Sequence, residues 1–484
     1  MRTQSATYPT VAPFHPSTAY PEYPFGDRIG LELNVAYDGV RRLFHALGYD
    51  HQLWGTPIWN PLGQLIEPGM TVVLKPNWVL SRHPQGKDVY SIITHPAVIR
   101  AVADYCWLAL RGEGRIVIAD APEYDCNFSQ LMHVTELPAI CEMYSEFPGP
   151  TVSVRDLRTY WSRSRHFPSM VLPLTGDPDG QVMVDLGTES ALNGRPAEHF
   201  YGAVYHRSEI IQEHSAGRHR YEFSGTVLKA DVLISLPKLK VHKKVGVTLN
   251  FKGLMGTVTN KNLCVHYNLG SPRQGGDQYP EGWFNRRERF LIGVERWMYD
   301  HLLAPRRRSL EYLHRSLYWL HGKTLKHLGL SVRPEKRLLD AGNWWGNDSA
   351  WRMVDDLARI IHFADAAGNL HSTQQRRMLS VIDGIVGGEN NGPLAPDPKP
   401  AAVLIGGESF AAVDLAATRW MGFDPRKFRQ FDLLNDRSID LGIRSCEDLE
   451  IVSDDPTVRS CFEDPSDRCA NFQPHPGWKG RVEL

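Results

Sequence analysis

Four stretches of this sequence set ion-binding or proton-transfer side chains directly beside apolar runs. Lys75-Pro76-Asn77 follows Thr71–Leu74. A lysine there is a point cation at a strand end, where open α/β sheets take their ligands, and Asn77 adds a donor and an acceptor. A snorkelling lysine and a turn-capping asparagine explain the same pair. Thr94-His95-Pro96 opens a helical pattern, with Thr94 as the expected N-cap. His95 at that end is disfavoured as a cation, so it suits a neutral donor, a base or a metal ligand; a structural cap is the ordinary alternative. The segment Lys238-Leu239-Lys240-Val241-His242-Lys243-Lys244 places five ionisable groups in seven residues after Asp231–Leu236, and Asn250, Lys252 and Gly256 follow. Cations beside glycine-exposed amides suit phosphate or carboxylate, although a solvated basic loop gives the same pattern. The Walker pattern is missing, so nucleotide hydrolysis of that type is not expected. Finally, Asp383, Glu389 and Asn391 lie in DGIVGGENNGPLAP. The two acids are candidate acid/base groups or hard-metal ligands, or else solvated carboxylates of a Gly/Asn turn.

The elements that must position these groups read as α/β. Thr71–Leu74, helix 96–109 and Arg115–Asp120 form a βαβ unit, which implies parallel strands. Further strands are expected at Asp231–Leu236, 378–382 and 401–406, with helices at 37–48, 349–367 and, capped by Ser409, 410–421. Weak alternation suggests antiparallel strands at 151–156 and 181–186. The expectation is a mostly parallel sheet with flanking helices: an irregular arm at 1–36, α/β parts at 37–269 and 346–444, a basic aromatic helical insertion at 270–345, and an irregular tail at 445–484. Within the insertion, 286–336 holds twelve Lys/Arg against five Asp/Glu, a net charge of +7, and Leu310, Leu313, Leu317 and Leu320 repeat at helical spacing. Such a segment either touches an anionic membrane surface or docks by its leucine stripe with arginines in water.

Composition narrows the classes. The chain has 484 residues, a formal net charge of −1 and 42% hydrophobic residues, so it is neither disordered nor an obvious nucleic-acid binder. The first 25 residues lack the apolar core of a secretory signal, and no apolar run reaches the length of a membrane span. Seven scattered cysteines without a C-x-x-C pair fit a reducing compartment, so a cytoplasmic protein is expected.

Taken in order, TVVLKPNWV, SIITHPAVIRAV, IVIADAP, LISLPKLKVH, TLNFKGLMG, VIDGIVGGENNGPLAP and AAVLIGGESFAAVDLAATRWMGF resemble the prokaryotic domain of unknown function 362. The resemblance runs from about Val72 to Phe423 and skips 270–345. It implies no particular reaction. Carried over residue by residue, it selects Lys75, Asn77, His95, Asp120, Lys238, Lys240, His242, Asn250, Lys252, Asp383, Glu389 and Asn391. Some members of that family carry ferredoxin-like segments. Cys446, Cys461 and Cys469 lack the spacing for one, so no iron–sulfur cluster is expected here.

These readings converge on one expectation. Lys75, Asn77, Lys238, Lys240, Asn250, Lys252 and Asn391 bind a small phosphorylated or carboxylated molecule. His95, His242, Asp383 and Glu389 handle protons or a divalent metal. The competing class is a non-catalytic binding or scaffold protein, membrane-peripheral through its basic insertion.

Overall fold

A computed structural model of the chain describes residues 1–163, 171–202, 207–298, 300–301, 316, 332–463 and 469–484. One eight-stranded sheet organises it. Its strands are β1 (Thr71–Pro76), β2 (Arg115–Asp120), β3 (Thr151–Asp156), β4 (Val232–Leu236), β5 (Lys238–His242), β6 (Gly246–Val247), β7 (Arg377–Glu389) and β8 (Asp397–Gly407). β1 lies between β2 and β4, β2 pairs with β3, and both β4 and β5 run along β7; all these pairs are parallel. β8 and β6 close the arrangement antiparallel to β7 and β5. The sheet is therefore mostly parallel, and the chain is α/β. The segment 151–156 corrects the antiparallel expectation: it extends the parallel sheet beside β2.

Residue alternation sorts the apolar side chains onto two faces, because successive strand residues point oppositely. Val73 pairs with Val117 and Leu233, and this row belongs to one core with Leu239 and Val241. Val72 and Leu74, with Ile116, Ile118, Val232 and Ile234, belong to the other. Helices α1 (Val35–Ala46) and α2 (Pro96–Leu110) pack on the second face. On the first face lie α5 (Ala350–Phe363) and α6 (Phe410–Trp420), which follow the short α3 (Leu249–Gly253) and α4 (Arg286–Met298) in the chain. Both faces are thus covered, as a parallel sheet requires.

Ser409 caps α6 as expected, accepting from Ala412 N at 3.2 Å. At α2 the cap moves by one residue. His95, not Thr94, is the N-cap, and Thr94 Oγ1 instead donates to Leu236 O (2.6 Å) while accepting from Asn77 N (2.9 Å). The expected loop after Ile382 is largely strand, since β7 and β8 run on to Glu389 and begin at Asp397.

The first 34 residues form no helix, yet they are well packed. Thr3 N donates to Ala402 O, and Tyr8, Phe14, Tyr23 and Phe25 are buried in the second core. Of the 270–345 segment, residues 270–298, 300–301, 316 and 332–345 are described, α4 among them; Leu310, Leu313, Leu317 and Leu320 lie outside the described residues.

Candidate functional site

The strand order changes direction at β1: the chain steps to β2 on one side and returns at β4 on the other. Ligands of open α/β sheets bind at the carboxyl ends of strands around such a point. A small cleft opens there. Its walls come from Asn77, Trp78 and Val79 after β1; Asp120 and Glu123 at the end of β2; Lys240 and His242 on β5; Thr248, Lys252 and Met255 around α3; and Lys261 beyond.

The lysines decide its character. Lys240 is 0% exposed and donates to Ile92 O at 2.6 Å. Lys252 and Lys261 are each 6% exposed. Lys252 Nζ contacts the thioether sulfur of Met255 at 3.0 Å, and Lys261 Nζ donates to Met255 O at 2.5 Å. These partners are all neutral. Burial therefore pushes the Lys240 amine far below the ordinary lysine range, and Lys238 and Lys252 push it further. Burial lowers Lys252 to about 8, with Glu123 the strongest opposing influence. Lys261 falls in the same direction for the same reason. His242 is held neutral by burial and by Lys252, and its Nδ1 accepts from Lys244 N at 3.1 Å.

One carboxylate of the cleft is already engaged. Asp120 Oδ1 accepts from Lys75 Nζ at 2.9 Å and Oδ2 from Trp78 N at 2.7 Å, in a pair that is 2% exposed on both sides. Gly256 makes this approach feasible. A Cβ there would lie 1.8 Å from Asp120 Oδ1 and 2.7 Å from Lys75 Nζ. Three buried polar atoms on the cleft residues have no partner: Asn77 Oδ1, Trp78 Nε1 and Thr248 Oγ1. Such atoms are free to pair with a ligand or with solvent.

A second polar cluster lies elsewhere and is closed. Asp383 is 0% exposed; its Oδ2 accepts from Lys238 Nζ (2.8 Å) and from the His95 backbone N–H (2.9 Å). Tyr8 donates to Asp383 Oδ1 at 2.5 Å and accepts from Lys238 Nζ at 2.7 Å and Val386 N at 3.1 Å. The His95 ring stacks on Tyr8 with centroids 4.0 Å apart, and its Nδ1 accepts from Ala97 N at 3.1 Å. Burial keeps this imidazole neutral, with Lys238 acting in the same sense.

The structure thus gathers Asn77, Lys240, His242 and Lys252 on one cleft, with Lys75 behind its wall through Asp120. Lys238, His95 and Asp383 form the closed cluster. Asn250 turns away: its N and Nδ2 donate to Asp414 Oδ1, each at 2.8 Å, and its Oδ1 accepts from Ser380. Glu389 accepts from Gln473 N at 2.9 Å, Asn391 is exposed, and neither lines the cleft. Among the described residues no group of three His, Cys, Asp or Glu side chains can hold a metal ion.

A family model for a domain of unknown function, DUF362, matches residues 172–419, just over half of the chain. The chain belongs to the DUF362 family. No curated protein and no solved structure matches it. In this DUF362 member the matched span carries β4 to β8 and therefore Lys238, Lys240, His242, Lys252 and Lys261. Lys75, Asn77, His95 and Asp120 precede it, so the cleft is built from both sides of that boundary.

Sequence reasoning missed Tyr8, Glu123, Thr248 and Lys261. Tyr8 sits in a Pro-rich arm without periodicity. Lys261 lies alone in TNKN, a few residues past the motif that holds Lys252. Glu123 follows IVIADAP directly, and its position three residues beyond a buried strand end was the one available signal.

Proposed function

We propose that the chain is an enzyme that binds a small phosphorylated or carboxylated substrate in the cleft at the ends of β1, β2 and β5. The observation that carries this reading is the group Lys240, Lys252 and Lys261, buried with carbonyl or thioether partners only. A buried ammonium with no carboxylate hydrogen-bonded to it is costly, and Asp120 and Glu123 offset that cost only from a distance. A bound anion removes that cost, and Thr248, Asn77 and Trp78 supply further polar contacts. Glu123 and the neutral His242 on the same walls are the acid/base candidates. A cytoplasmic setting suits seven cysteines with no C-x-x-C pair.

Native mass spectrometry tests the reading, with inorganic phosphate and small dicarboxylates offered to the wild type and to Lys261→Met. A specific one-to-one adduct that disappears in Lys261→Met is expected. Equal adducts in both proteins would end it.

One observation favours a second, additional role. On α4, Phe290, Val294 and Trp297 follow helical spacing and are 70%, 37% and 55% exposed, next to Arg286, Arg287 and Arg289. An apolar stripe beside arginines suits an anionic membrane surface. No helix among the described residues is long and apolar enough to cross one. Flotation with phosphatidylserine vesicles that is lost in Phe290→Asp/Trp297→Asp is the expected result; no flotation of the wild type would remove this role.

A further inference from the structure

The three cleft lysines are not equivalent. Lys240 and Lys261 are fixed by hydrogen bonds to backbone carbonyls at 2.6 and 2.5 Å, whereas Lys252 has only a thioether, a weak acceptor, at 3.0 Å. Lys252 is thus the amine least tied to the protein, and it lines the cleft together with Glu123 and Thr248. A buried amine beside other cations is the arrangement that yields a nucleophilic lysine.

We infer that Lys252 forms a Schiff base with the carbonyl carbon of a small anionic aldehyde or ketone, while Lys240 and Lys261 hold its phosphate or carboxylate. The inference rests on the anion-binding reading and adds the substrate class and the bond made. The Lys252 nitrogen lone pair attacks the carbonyl carbon, a C–N bond forms, and the C=O π pair moves to oxygen. Glu123 takes a proton from the nitrogen and returns it to the oxygen. The C–O bond then breaks with a second proton, so amine, carbonyl and one proton give a protonated imine and water, with no redox change. The lowered amine, at about 8, supports this by leaving a useful neutral fraction near neutral pH. Glu123 and Cys264 oppose that lowering, and Lys261 and Lys75 add to it.

The test is reductive trapping on the full chain, using sodium cyanoborohydride with pyruvate, with dihydroxyacetone phosphate, or with neither. One adduct per chain is expected with at least one probe, mapped to Lys252, slowed by excess inorganic phosphate and faster as pH rises through about 8. Which probe reacts distinguishes carboxylate from phosphate. Lys252→Arg should give no adduct with either probe, and binding of inorganic phosphate is measured on the wild type beside it. No modification of Lys252, or labelling spread over surface lysines equally in Lys252→Arg, would overturn the inference. Phosphate binding that persists without an adduct would leave the anion-binding reading standing; absence of both would remove the two together.

Discussion

Lys238 and Lys240 are two residues apart on β5, point to the same face, and are both 0% exposed. Leu239 and Val241 between and beyond them point into the first core. Their fates diverge because β7 shifts register here: Lys238 pairs with Asp383, and Lys240 with Gly388. Lys238 meets a carboxylate, a tyrosine hydroxyl and a closed shell. Lys240 meets a backbone carbonyl and a cleft. Residue type and burial are identical, so the difference lies in the counter-charge. The closed cluster is internally neutral and is a structural joint that ties the N-terminal arm, α2 and β7 together. The cleft has more lysines than carboxylates, and a surplus of buried amines is a demand for an anionic ligand.

Single substitutions separate the two lysines experimentally. The largest effect is expected from Lys238→Met, which strands Asp383 without its cation. Removing one member of a buried pair costs about 3–5 kcal/mol, read as a lower denaturation midpoint. Gly256→Ala drives a Cβ into the Lys75–Asp120 pair and should cost about 1–3 kcal/mol while also weakening phosphate binding. Tyr8→Phe removes the hydroxyl that links Lys238, Asp383 and Val386; a loss of about 1–3 kcal/mol is expected, with phosphate binding unchanged. The smallest effect is a linked proton. The amine of Lys252 lies at about 8 in the folded chain against 10.5 ordinarily. Between those values the unfolded chain binds more protons, so this group makes stability rise with pH across the window and leaves it independent of pH on either side. An anion favours the protonated amine, so phosphate binding above pH of about 8 should take up a fraction of a proton. Calorimetry in buffers of different ionisation enthalpy reads it directly.

Much of the scaffold was legible in the sequence. β-branched runs ending in polar loops announced β1, β2, β4, β7 and β8, and the single stretch LPKLKVH announced both lysines. What separates those two lysines was not legible. The partner of Lys238 is Asp383, 145 residues away, and Tyr8 reaches the pair from an arm whose prolines erase any periodicity. The Gly-rich run after Asp383 reads as a loop but forms a strand, because neighbouring backbone crowds it: a Cβ on Gly388 would lie 2.6 Å from Ser91 O. Asn250 shows the same limit in reverse. Its place in a cationic motif suggested ligand binding, yet its amide serves buried Asp414 and Ser380.

The central claim is that Lys240 is kept for an anion and not for the fold. Replacing a buried unpaired charge by an apolar side chain of similar length is neutral or stabilising, whereas losing a ligand contact weakens binding. Titrating inorganic phosphate calorimetrically into wild type and Lys240→Met, with thermal unfolding of the same samples, tests this most directly. At least about a tenfold loss of affinity, roughly 1.4 kcal/mol, is expected in a protein whose melting temperature is unchanged or higher. Unaltered affinity together with a destabilisation matching that of Lys238→Met would contradict it.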